Sequence, residues 1–126
     1  MKYIVQVIDL GQPSEGWKEI GMVEIPDEAG MWEAIGAILA RRLGSRAAVD
    51  WRRWTEPRVP SADSPATGRG VELRFRGPHG SPCEQVLIEF VGLPAGEVER
   101  WVPDEDLWGV LRTVEGVLVR AFGADE

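Results

Sequence analysis

The chain has one cysteine, Cys83, so no disulfide can form within it. A disulfide-stapled scaffold is thereby excluded, and a lone thiol fits a reducing compartment or indifference to redox state. His79 is the sole histidine. A structural zinc site takes four ligands, mostly cysteine and histidine, and this chain has one of each. No apolar run approaches the ~20 residues of a membrane-spanning helix. The opening stretch Met1–Asp9 is too short and too polar for a signal peptide, so a soluble, cytoplasmic protein without a membrane partner is expected. There is no Gly-x-Gly-x-x-Gly, P-loop, Gly-x-Ser-x-Gly or Cys-x-x-Cys motif, hence no expected cofactor. Asparagine is absent, and two lysines stand against twelve arginines. Such usage fits either a thermophile or a GC-rich genome.

What is present is enough for a core. Hydrophobic residues make up 44% of 126, the length of one domain, and a chain of this size buries roughly 65–70% of its unfolded surface. The net charge of −7 disfavours general binding to nucleic acid or anionic membrane. It is unevenly spread. Residues 1–40 carry two lysines against seven carboxylates, residues 41–80 nine arginines against four, and residues 81–126 three arginines against ten. A basic middle therefore lies between two acidic ends.

β-branched runs predict strands at Tyr3–Leu10 and Trp17–Ile25, joined through a turn-rich cluster into a hairpin. Apolar residues on both faces of the first predict a central position in its sheet. Pro26-Asp27-Glu28 predicts a helix start capped by Asp27, and Trp32, Ile35, Leu39 and Leu43 follow at helical spacing up to Gly44. Ala47–Trp54 reads as a third strand, and 58–69 as a mobile loop. Val71–Arg76 alternates, with Val71, Leu73 and Phe75 inward and Glu72, Arg74 and Arg76 outward. Glu84–Val91 returns with Val86, Ile88 and Phe90 on one face. Glu97–Trp101 reads as a short edge strand. Pro103-Asp104-Glu105-Asp106 opens a last helix with a wide apolar stripe, ending at Gly123 before a frayed tail, 124–126. The expected fold is a single α+β domain over 1–126, a mainly antiparallel sheet of about five strands with two helices in the order ββαβββα. In element order alone, the opening hairpin, helix and next strand resemble the start of a β-grasp.

The segment Trp51-Arg52-Arg53-Trp54, followed by Arg58, is the main candidate for binding. On a strand, Trp51 and Arg53 share one face and Arg52 and Trp54 the other, so each face offers an indole beside a guanidinium. Tryptophan and arginine are enriched at protein–protein hot spots, and the same pair can stack on bases and grip phosphate. The competing reading is structural: one tryptophan plugs the core and the other covers a helix, while the arginines cover the sheet and pair with the acidic elements, Arg42, Arg52 or Arg53 meeting Glu33 or Glu105. Because the block splits into two mixed faces, one tryptophan and one arginine are expected as buried structure, and the other pair with Arg58 as the surface. Arg74 and Arg76 extend the basic surface if their strand neighbours this one. His79 and Cys83 share a turn but lack an orienting third group, so they read as incidental. The acidic runs at Asp27 and Asp104 read as helix-start chemistry, not as a metal site. The function favoured is a small acidic intracellular module, an adaptor, inhibitor or immunity-type factor, that docks onto a partner protein without catalysis. The alternatives are single-stranded nucleic-acid or anion binding through the same block, an enzyme using Cys83, His79 or carboxylates, and a structural subunit of a larger assembly such as a virion or secretion component. A homo-oligomer is compatible with each.

Overall fold

Period-two alternation produces five strands close to where the sequence predicts them. The computed structural model describes residues 2–26, 28, 30–54, 70–92 and 106–124. Its elements are β1 (Lys2–Asp9), β2 (Lys18–Glu24), α1 (Met31–Ala40), β3 (Ala48–Trp54), β4 (Gly70–Arg76), β5 (Gln85–Gly92) and α2 (Leu107–Phe122). This is the ββαβββα order of a single α+β domain. The segments read as a mobile loop (58–69) and an edge strand (Glu97–Trp101) lie outside the described residues, as do Arg58, Asp27, Asp104, Glu105 and residues 125–126.

The sheet order is β2-β1-β5-β4-β3, and every pairing is antiparallel. β1 is thus interior, as its two apolar faces predict. Two of the pairings follow from short connections, β1 with β2 and β4 with β5, whereas β5 beside β1 joins segments from opposite ends of the chain. Consecutive antiparallel pairing across the sheet makes β2 and β3 run in the same direction from opposite edges. The α1 connection therefore carries the chain across four strand spacings, about 19 Å. The β-grasp-like beginning goes no further than element order, since none of these strand pairs is parallel.

α1 begins later than the Pro-Asp-Glu signal suggests. Gly30, at φ 83°, occupies the N-cap, and Met31 is the first helical residue. A left-handed residue ends the preceding extended chain, and only glycine takes it without cost. Trp32, Ile35, Gly36 and Leu39 form the buried stripe. Gly36 is the close-approach point: a methyl there would lie 3.7 Å from Val49 and 3.9 Å from Leu73, so the helix backbone rests almost on β3 and β4. α1 also ends earlier than expected, at Ala40 with Arg41 as its C-cap; Gly44 takes the left-handed φ of 54° but opens a 3-10 turn at Gly44–Arg46 that delivers the chain to β3.

The core lies between one face of the sheet and the two helices. Val5, Val7, Val23, Leu73, Phe75, Val86, Ile88 and Phe90 meet Trp32, Ile35 and Leu39 of α1 and Val110, Leu111, Val114 and Leu118 of α2. Trp32 is its centre, 1% exposed, with ring centroids 5.4 Å from Tyr3 and 5.1 Å from Phe90 in edge-on geometry. Such pairs contribute about 0.5–1.5 kcal/mol beyond area burial. No helix of the described residues is long and apolar enough to cross a membrane.

Candidate binding face

The strand order places β3 at an edge and β4 beside it, which unites the two groups of arginines that the sequence could only suggest were neighbours. Among the described residues, both helices lie on one side of the sheet. The other side is a banded surface whose rows cross the strands. Trp54, Gly70, Val91, Ile4 and Met22 form an apolar row. Arg52, Glu72, Glu89 and Gln6 form the next row in register. Asp50 and Arg74 follow, with Arg76 beyond them.

Charge on this face is neutralised within the fold. Arg52 Nε lies 3.0 Å from Glu72 Oε2, and Arg74 Nη2 lies 3.4 Å from the same oxygen. Arg76 Nη2 donates to Asp50 Oδ2 at 2.9 Å. Glu72 and Glu89 oppose one another across β4 and β5, and each is only 5% exposed. Like charges directly opposite each other are destabilising. The two guanidinium groups at Glu72 offset that repulsion. Arg52 remains 68% exposed, so its positive head is presented outward even while paired. A hollow of about 150 Å³ lies among Asp50, Trp51, Arg52, Glu72 and Arg74.

Each predicted residue can now be placed. Trp51 points to the helix side, opposite Leu73, and packs against the core while half-buried. Arg53 shares that side but is exposed, because β3 is the sheet edge and the helix does not reach past it. Trp54 is half-buried on the other side, against Ile4, Met22 and Val91. Arg52, Trp54, Arg74 and Arg76 therefore come together on one face, while Trp51 and Arg53 do not join them. The split differs from the expected one. Both tryptophans are partly structural and both arginines are exposed, since the apolar indoles gain by packing on the sheet whereas a guanidinium keeps its charged head in water. Among the described residues Arg52 meets Glu72, and Arg42 Nη1 meets Glu115 Oε1 at 2.8 Å; the expected partner Glu105 lies outside the described residues.

Two residues that sequence reasoning passed over organise this face. Gly70 stands directly opposite Trp54, and the indole lies over its bare backbone. Glu72 is the hub of the arginines. A glycine at the first position of an alternating strand, paired with a tryptophan, was the available signal for the former. Burial of Glu72 had no sequence signal, because an outward-facing glutamate normally reads as solvated.

His79 and Cys83 line a separate cleft of about 380 Å³ at the end of the sheet, with Arg46, Arg120, Asp9 and Glu84. Cys83 is exposed, its backbone N–H donates to Ser81 Oγ at 3.2 Å, and no hydrogen bond joins it to His79 among the described residues. The nucleophile–base contact that thiol catalysis requires is therefore not formed. Among the described residues no group of three or more His, Cys, Asp or Glu side chains is arranged to hold a metal ion. Comparison with protein families, with curated proteins and with solved structures finds no match.

Proposed function

We propose that this chain is a small, non-catalytic protein-interaction module, of the adaptor, inhibitor or immunity-type class, that docks onto a partner protein through the outer face of β3 and β4. One observation carries the reading: Arg52, Trp54, Arg74 and Arg76 are spread along one sheet face that no described helix covers. Tryptophan with arginine is the pairing most enriched at binding hot spots, and the ion pairs with Glu72 and Asp50 hold the long side chains in place before binding. Preordering reduces the entropy lost on association. The same ion pairs weigh against nucleic acid. Three arginines against Asp50, Glu72 and Glu89 leave no net positive charge on the face, too little to track a phosphate backbone.

The test is affinity capture from the native host with the wild-type chain and with Trp54→Ala/Arg76→Ala. A partner retained at near-stoichiometric yield by the wild type and lost by the variant is the expected result. Absence of any such partner overturns the reading. Circular dichroism verifies that the variant folds. Arg76→Ala alone, at a side chain 47% exposed, serves if the double variant does not fold.

A further inference from the structure

The cleft that holds His79 and Cys83 lies where β1 ends, β5 begins and α2 ends. The turn 77–84 and Arg46 of the 3-10 turn wall it. The register gathers Trp54, Gly70 and Gly92 at the opposite end of the sheet, away from it. Its volume of about 380 Å³ is in the range of small-molecule sites.

Charges in this cleft balance in number without being paired in space. Arg46 and Arg120 stand against Asp9 and Glu84. The Arg46 side chain has no ion-pair or hydrogen-bond partner among the described residues, and its guanidinium rests against Gly123 at the end of α2. Arg120 Nη2 is 3.9 Å from Glu15 Oε2, an oxygen that already holds Lys18 at 3.1 Å. Asp9 Oδ1 accepts only a local bond, from the Gly11 N–H at 2.8 Å. Glu84 Oε2 is buried with no donor among the described residues. A buried acceptor without a donor is costly to the fold.

The arginines are therefore open to an anion, while Glu84 is short of a donor. These opposite demands disfavour the simplest ligands. An inorganic anion would meet Asp9, Glu84 and the negative end of the α2 dipole, and a lone cation would meet two guanidinium groups. A ligand that carries both charges answers both sets. Val86, Ala121 and Phe122 supply an apolar wall beside them.

We propose that this cleft binds a free amino acid with an apolar side chain. Arg46 and Arg120 hold its carboxylate, for which the forked guanidinium is well shaped. Its ammonium faces Asp9 and Glu84, and its side chain packs on Val86, Ala121 and Phe122. The site is separate from the outer face of β3 and β4, so either reading can fail without the other.

Titration of the full, nitrogen-15-labelled chain with L-leucine and with L-phenylalanine, followed by proton–nitrogen correlation spectra, tests this. Saturable shifts are expected at the Gly11 and Gly77 amides, with Gly70 unmoved and a Kd of about 1 mM or tighter for at least one of the two. The N-acetyl derivative lacks the ammonium and the amide derivative lacks the carboxylate. Each is expected to bind about tenfold or more weakly than its parent. Arg46→Ala and Arg120→Ala, both at exposed side chains, are expected to weaken the parent about tenfold. Glu84→Gln should weaken the parent and leave the N-acetyl derivative unchanged. No saturable shift with either amino acid at tens of millimolar overturns the proposal, as do saturable shifts confined to residues outside the cleft. Inorganic phosphate or the N-acetyl derivative binding as tightly as the parent overturns it too, because the cleft is then a plain anion site. These comparisons use the wild type, so they decide the matter whether or not the variants fold.

Discussion

Gly70→Ala is the most direct probe of how the outer face is built. An added methyl would lie 2.5 Å from the Phe90 carbonyl oxygen and overlap the Trp54 ring. Two relaxations are open. The indole can swing off the sheet, giving up its packing on Ile4, Met22 and Val91. A tryptophan buries 150–250 Å² when enclosed, so half-buried Trp54 would lose roughly 100 Å², or about 2.5 kcal/mol at ~25 cal/mol per Å². Alternatively β4 shifts against β5, and overpacking of this kind costs about 1–3 kcal/mol. Against either, alanine restricts the unfolded chain and returns about 0.4–1 kcal/mol. The net expectation is a loss of about 1–2 kcal/mol, or roughly 4–10 °C in Tm for a domain of this size. Urea denaturation followed by far-ultraviolet circular dichroism measures it. The same substitution in a Trp54→Ala background meets only the Phe90 carbonyl and should cost about 1 kcal/mol less, a coupling that a double-mutant cycle resolves. Gly70→Ala as stable as wild type, or equally costly in both backgrounds, would refute the account of Trp54 resting on Gly70.

Glu72→Ala removes the carboxylate between Arg52 and Arg74. Because those arginines are 68% and 36% exposed, the expected loss is about 1–2 kcal/mol, well short of the cost for a fully buried pair, and molar salt should narrow the gap to wild type. An unchanged urea midpoint would show that Glu72 contributes nothing as a hub. Trp32→Phe keeps an aromatic edge against Tyr3 and Phe90 and deletes the buried Trp32 Nε1–H, which has no hydrogen-bond partner among the described residues. It should cost within about 1.5 kcal/mol, against about 3–5 kcal/mol for Trp32→Ala, and equal losses for the two would contradict this. Acrylamide should quench Trp17 and Trp108, which are 42% and 58% exposed, and spare Trp32. Trp108→Phe should accordingly lower the quenchable fraction, and no change would be inconsistent with its exposed position.

The sequence by itself determined the elements and their inner faces. Alternation at Val71, Leu73 and Phe75 and at Val86, Ile88 and Phe90, and helical spacing at Trp32, Ile35 and Leu39, are local consequences of apolar residues seeking one side, and all are buried as expected. The α1 start was legible only approximately, because helix-favouring Pro26-Asp27-Glu28 competes with a glycine at Gly30 that accepts a left-handed turn. The split of the Trp51–Trp54 block into two faces was legible as well. Which face carries the helices was not, since strand periodicity is symmetric between the two sides. Tertiary structure decided that β3 ends the sheet among the described residues, because the α1 connection carries the chain across four strand spacings before β3 pairs with β4. From that follow the exposure of both Arg52 and Arg53, the meeting of Arg52 and Arg74 at Glu72, and the rest of Trp54 on Gly70. Each depends on which strand lies alongside, a long-range relation that local spacing does not encode.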